Sequence, residues 1–249
     1  MPGLDWLTAR PIAHRGLHDA VAGVVENTAS AFTAAIAGGY AIETDVQISA
    51  DGEAMVHHDD ALGRLTEGSE ALARMSAAAI KAVRFKATAD HVLTLHELCE
   101  LTAGRVPLVV EIKSRFDGDL RLAARAAEIL SAYKGPAAVM SFDPAPIAAI
   151  RRSAPRLPRG IVAERHYTHH EWDRLSAAEK FRLAHLLHAP RTRPHFIAYS
   201  VKDLPAPAPW LARHVFGMPL LTWTVRSEHD RQTAARHADQ MIFEGFRPS

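Results

Sequence analysis

Cysteine is almost missing from this chain: 249 residues contain only Cys99. No internal disulfide can form, and nothing in the sequence points to an oxidising compartment. That thiol lies in the helical pattern HELCEL and reads as a buried structural side chain. A charge excess is missing too, since 29 Lys and Arg oppose 28 Asp and Glu. The formal net charge of +1 gives no footing for nucleic-acid binding. No run reaches the ~18 apolar residues of a membrane span, so stable membrane insertion is not expected. The opening MPGLDWLTARPIAHRG lacks a basic stretch followed by a long apolar one. That argues against a signal peptide and makes a cytoplasmic setting the expectation. No convincing internal repeat is visible.

What is present is a regular alternation. Apolar residues make up 48% of the chain, a normal share for a globular fold. Short apolar runs, each ending in polar residues, lie at Pro11–His14, Ala41–Val46, Pro107–Ile112 and Ala137–Ser141. Four more lie at Gly160–Glu164, Phe196–Ser200, Pro219–Val225 and Gln240–Glu244. Such runs read as strands buried on both faces, the pattern of a parallel sheet. Helical stretches separate them, at Asn27–Ile36, Leu120–Leu130, Pro144–Ile150, Ser176–Leu187 and Ser227–His237. Eight strands alternating with helices, in a chain near the ~250 residues typical of the class, predict an α/β fold of the (β/α)8 or TIM barrel type. The interval between Val46 and Pro107 is too long for one connection. It predicts a small insertion after the second strand, at about 47–92, within one catalytic barrel domain spanning 1–249. Pro205, Pro207 and Pro209 predict a stiff loop.

In such barrels, active sites lie where the strands end. Residues i and i+2 of a strand share a face, so Glu43 and Asp45 point one way, as do Glu111 and Lys113. Two neighbouring strands would then bring three carboxylates together. Carboxylates that close repel unless protonated or neutralised, and a hard divalent cation with oxygen ligands would neutralise them. A structural network with Arg15 and Lys113 would also do so, and spacing leaves both open. Among 15 histidines, His14 and His58 gain weight as an acid and base pair, because they flank this cluster. His166, His169 and His170 form a superficially metal-like group in a polar stretch with no matching carboxylates.

Taken in order, these residues resemble the glycerophosphodiester phosphodiesterase family over nearly the whole chain. The matches are His14-Arg15-Gly16, Glu26-Asn27-Thr28, Glu43-Thr44-Asp45-Val46 and Asp51-Gly52. They continue with His58-Asp59, the segment carrying Leu62, Arg64, Thr66 and Gly68, and Glu111-Ile112-Lys113. Ser141-Phe142-Asp143 and Trp223-Thr224-Val225 complete the set. The resemblance implies a barrel with an insertion after the second strand, and Glu43, Asp45 and Glu111 as ligands of Mg2+ or Ca2+. It implies His14 and His58 as acid and base, with Arg15, Lys113 and Trp223 on the substrate and its phosphate. The implied substrate is a small-molecule glycerophosphodiester, cleaved to an alcohol and glycerol 3-phosphate. The resemblance also suggests that a substrate hydroxyl attacks phosphorus first, giving a cyclic phosphate that water opens. The motif register favours His58 over His57, which occupies an apolar position. Gly63, Leu65 and the ending Phe243-Glu244-Gly245, in place of the usual I-T-D, depart from the family pattern and bear on fine specificity.

Competing readings are a lysophospholipase D or phosphoinositide-type phospholipase on the same fold, and a non-catalytic phosphate-binding barrel. The former would want a membrane-facing patch, and the latter would have lost a ligand or histidine. A metal-dependent amidohydrolase would want His-x-His on the first strand.

Overall fold

In a computed structural model describing residues 3–248, the apolar runs become strands of one sheet. The strands are β1 (Ile12–Ala13), β2 (Ala41–Ile48), β3 (Ala54–Val56), β4 (Leu108–Ile112), β5 (Ala137–Ser141), β6 (Arg159–Ala163), β7 (Phe196–Ser200), β8 (Leu220–Val225) and β9 (Gln240–Phe243). All neighbours are parallel except β3, which pairs antiparallel with β2. Because β1 pairs with both β2 and β9, the eight parallel strands close into a barrel. The (β/α)8 fold expected from the sequence is therefore the fold observed.

Strand alternation sorts the core into two layers. Ala13, Ile42, Val110, Val139, Ile161, Ile197 and Leu220 pack outward against the helices. Ile12, Ala41, Val109, Ala138, Val162, Ala198, Leu221 and Ile242 fill the interior. Leu7, from the short helix Asp5–Thr8, joins that inner layer at the end where the strands begin. Continuing each inward row toward the strand ends reaches His14, Glu43, Asp45, Glu111, Glu164, Trp223 and Glu244. The two-residue period thus aims these side chains into the barrel mouth.

The segment after β2 turns at Asp51-Gly52, where Gly52 has a φ of +88° that favours glycine. It then builds its own small cluster around Met55, Leu62, Leu72, Ile80, Phe85 and Val92. Capping boxes start the helices Leu95–Thr102, Ala177–Ala184 and Glu228–His237, from Thr94, Ser176 and Ser227. Each such cap contributes about 1 kcal/mol.

One expectation needs correction. The proline-rich stretch is not a stiff loop throughout, because Pro207–His214 is a helix. Pro207 opens it and Pro209 falls in its first turn, where a missing N–H costs no helical hydrogen bond. Among the described residues no helix is long and apolar enough to cross a membrane.

Candidate active site

The site starts from the turn that leaves β1. Arg15 and Gly16 have φ of 56° and 81°, and a Cβ on Gly16 would come within 2.9 Å of Ala31. Only glycine allows the turn to press so closely on the helix Ala29–Ala37. The turn holds the Arg15 N–H against Glu43 Oε2 at 3.0 Å.

Glu43, Asp45 and Glu111 are 1%, 1% and 7% exposed. The β2–β4 register sets Asp45 beside Glu111, and each of the three residues offers an oxygen within 4.8 Å of the others. Burial pushes the Glu43 carboxyl well above its ordinary range, with the Asp45 and Glu111 charges adding to the effect. Burial would raise Asp45 too, but Lys113 and Arg15 outweigh it and hold Asp45 well below. Lys113 Nζ lies 2.9 Å from Asp45 and 2.7 Å from Glu111. Arg15 Nε lies 3.2 Å from Asp45, and its other end meets Glu26 at 2.7 Å. Asn27 completes the cradle, donating to Asp45 Oδ2 at 3.1 Å while accepting from Thr44 at 2.8 Å. Three crowded carboxyl groups, one of them driven toward protonation, form an all-oxygen donor set that fits a hard divalent cation. The cations of the structural network are present alongside it.

Each histidine is held by a carboxylate. His14 Nδ1 lies 2.8 Å from Glu244 Oε2, and Arg226 meets the same oxygen at 2.8 Å. Because the carboxylate only accepts, it fixes the proton on Nδ1 and leaves Nε2, 4.0 Å from Glu43, as the free nitrogen. Burial pulls His14 down to about 4, against the opposing pull of Glu244. His58 Nδ1 bonds Asp59 Oδ1 at 2.8 Å, and Arg64 clamps the other Asp59 oxygen at 2.6 Å. Arg64 also reaches Glu26 at 2.6 Å, linking this arm to Arg15. The end of β2 places His58: Gln47 donates to its carbonyl at 2.8 Å, and the His57 N–H donates to the Asp45 carbonyl at 3.1 Å.

All eight site residues expected from the sequence line one pocket of about 330 Å3: His14, Arg15, Glu43, Asp45, His58, Glu111, Lys113 and Trp223. Phe142, Trp172 and Trp223 form an aromatic side of it, with Phe142 centred 5.4 Å from Trp223 and 4.8 Å from Trp172. His57 is buried and lines no part of it; its Nδ1 bonds the Asp59 carbonyl at 2.8 Å. Cys99 is buried in its helix and lines no part of the pocket either, its thiol pushed up to about 12 by burial. His166 and His169 join no metal-competent group among the described residues, and the side chain of His170 lies outside those described.

Sequence reasoning missed several residues. Asn27, Glu26, Asp59 and Arg64 lie inside recognised motifs but received no role. Glu244 was noted only as a departure from the family ending, yet it orients His14. Glu164 was passed over as a strand terminus, though it ends an inward row. It is 8% exposed, its Oε1 has no partner, and burial beside Asp203 pushes it up to about 7. His18 also stands near His14 and Glu244, with ligand atoms of all three within 4.8 Å.

A family model for glycerophosphoryl diester phosphodiesterases matches residues 14–245. The chain belongs to that family. A curated glycerophosphodiester phosphodiesterase of Caldanaerobacter subterraneus subsp. tengcongensis is 31% identical over 161 residues. That alignment covers 61% of this chain and 65% of the relative, slightly under two thirds of the relative's length. A structure from Silicibacter pomeroyi DSS-3, assigned as a glycerophosphoryl diester phosphodiesterase, is 26% identical with a TM-score of 0.74. It covers 94% of this chain and 89% of its own. An Oleispira antarctica phosphodiesterase in complex with the product sn-glycerol-3-phosphate shares the fold at 20% identity and a TM-score of 0.72. Coverage there is 96% of this chain and 94% of the other.

Proposed function

We propose that this protein is a divalent-metal-dependent phosphodiesterase that cleaves glycerophosphodiesters to an alcohol and glycerol 3-phosphate. The observation that carries this is two carboxylate-oriented imidazoles flanking a buried carboxylate triad and two cations in one pocket. A relative of the same fold holds sn-glycerol-3-phosphate, the product required here.

Glu43, Asp45 and Glu111 would hold Mg2+ or Ca2+, which when bound supplies positive charge to the phosphoryl oxygens. Arg15 and Lys113 add their own charge to the same oxygens, and the planar Arg15 guanidinium suits two-point contact. The Phe142 and Trp223 side suits the glycerol carbons. His14 is neutral near pH 7 and takes the proton of the attacking hydroxyl at Nε2. When that hydroxyl belongs to the glycerol, the new P–O bond closes a cyclic phosphate as the bond to the alcohol breaks. His58 gives its proton to the departing alkoxide. Water then opens the ring with the two histidines exchanging roles.

A coupled glycerol 3-phosphate assay over a panel of glycerophosphodiesters, with EDTA and with Mg2+ or Ca2+ restored, tests both parts. Turnover is expected with metal and lost with chelator. Full activity in a chelated, metal-free sample overturns the metal, and no product from any diester overturns the activity.

A further inference from the structure

A second, larger chamber of about 930 Å3 adjoins the catalytic pocket. The two cavities share His58, Lys113, His169 and Glu171 in their walls. His58 therefore stands at the junction, with the aromatic side and the triad on one hand and this chamber on the other. If glycerol occupies the inner pocket, the chamber is where the alcohol that leaves past His58 must lie. This step rests on the proposed activity.

Beyond the shared rim the chamber is cationic. Glu171 lines the shared rim, and beyond it Arg64, Arg74, Arg115 and Arg174 face Asp59 and Asp60 among the described residues. Both are already engaged: Asp59 holds His58 and Arg64, and Asp60 lies 3.7 Å from Arg115. Among the described residues, Arg74 and Arg174 make no ion pair. Among the described residues, Phe116 is the one Phe, Tyr or Trp on this wall. A quaternary ammonium headgroup wants an aromatic cage; the chamber offers one aromatic ring and one carboxylate without an ion pair, Glu171, against two arginines without one among the described residues. Guanidinium forks match phosphate oxygens two at a time, and a monophosphate carries about −1.5 to −2 charges at pH 7. Two unpaired arginines balance it.

We infer that the chamber is a leaving-alcohol subsite selective for an alcohol bearing a phosphate of its own, such as a phosphorylated polyol, held by Arg74 and Arg174. The scissile phosphodiester sits at the triad while the second phosphate reaches the outer arginines.

The test compares kcat/KM for four glycerophosphodiesters whose alcohols are choline, ethanolamine, inositol and inositol 4-phosphate. The inositol pair differs only in the added phosphate. Wild-type enzyme is expected to favour the phosphorylated member by about tenfold or more, one good charge-assisted contact or better. The double variant Arg74→Glu/Arg174→Glu should abolish or invert that ratio, read within one preparation so that any general loss of activity cancels. Raising KCl from about 0.05 to 0.5 M should increase KM for the phosphorylated substrate several-fold more than for inositol, because salt screens exposed charges. A wild-type preference for choline, equal use of the inositol pair, or a ratio unchanged in the double variant overturns the inference. In each of those outcomes glycerol 3-phosphate is still released, whereas failure on all four diesters strikes the underlying activity instead.

Discussion

The His14 arm and the His58 arm of the pocket are the same device on two different supports. On the barrel side Glu244 orients His14 and Arg226 clamps Glu244; on the insertion side Asp59 orients His58 and Arg64 clamps Asp59. The first arm joins residues 230 positions apart through the β1–β9 closure, while the second joins chain neighbours. Side-chain exposure is 11% for His14 and 28% for His58. The buried arm keeps its imidazole neutral and suited to accept a proton. The open arm borders the larger outer chamber as well as the pocket. Closing the barrel and folding the segment after β2 are thus separate routes to one pocket geometry.

Breaking either arm at its imidazole should have the largest effect. His14→Ala and His58→Ala are each expected to lower kcat by roughly 100- to 10,000-fold, the range of positioned acid–base groups. Metal affinity, measured by calorimetry, should change far less, and melting temperatures should show both variants folded. Near-normal turnover in either variant removes that residue from the chemistry. The arms also differ in pH. With His14 drawn down to about 4, kcat/KM should hold from neutrality to about pH 5 and fall only near pH 4. A limb near the free-histidine value of ~6.5 would mean that burial does not set this group. Stability follows the same sign. The folded pKa is depressed, so the folded state loses stability as pH falls from about 6.5 through about 4.

The orienting carboxylates come next. Glu244→Gln and Asp59→Asn keep shape but can donate where the native group only accepts, releasing the imidazole tautomer. Loss of such an orienting partner costs about 10- to 100-fold in the related case of metal-bound histidines, and a similar fall in kcat is expected here with KM little changed. If Glu244→Gln acts and Asp59→Asn does not, the local arm is held by Gln47 and the β2 backbone, not by its carboxylate.

This asymmetry explains what could be read in advance. Glu43, Asp45 and Glu111 were legible because strand side chains repeat every two residues and neighbouring parallel strands share a register. His58 was legible through its motif, whereas the part its neighbour Asp59 plays in holding it was not read. Glu244 was not, because its meaning depends on β9 closing against β1, which no local pattern reveals. It surfaced only as a mismatch to the family ending. Glu164 did end an inward row, but its raised pKa had no signal, because Asp203 and Trp172 reach it only in the folded chain. The helix Pro207–His214 was hidden by its prolines, which read as loop until their place in the first turn is known.

Glu164 sharpens the comparison, since it is a pocket carboxylate without an arginine clamp. Glu244 and Asp59 are held well below the ordinary carboxylate range by their hydrogen bonds and arginines, despite burial. Glu164 is pushed up to about 7 by burial and Asp203. Its folded pKa is raised, so the folded state binds the extra proton and stability falls as pH climbs from about 4.5 to about 7. Glu164→Gln removes that titration. The variant should gain melting temperature relative to wild type at pH 8 and show a smaller gain, or none, at pH 5. A difference that is flat across that range would show that the carboxylate ionises freely.

The smallest effect is expected at His57, beside His58 in sequence but outside the pocket. Its ring is buried, its Nδ1 bonds the Asp59 carbonyl, and its Nε2 has no partner. Burial lowers its affinity for protons, so it sits neutral inside the insertion. His57→Phe removes one hydrogen bond worth about 1 kcal/mol and also the desolvation cost of an unpartnered nitrogen, two terms of opposite sign and similar size. The net change in stability should be within roughly 1 kcal/mol. The backbone bond from residue 57 to the Asp45 carbonyl survives the substitution, and so does the Gln47 bond to the His58 carbonyl. The His58 imidazole should therefore keep its place, and kcat should stay near wild type. A dead His57→Phe alongside an active His58→Ala would reverse the assignment and put the working imidazole of this arm one residue earlier. A loss in both would show instead that the Asp59 carbonyl must be anchored for its carboxylate to hold His58, making His57 the outermost member of the same arm.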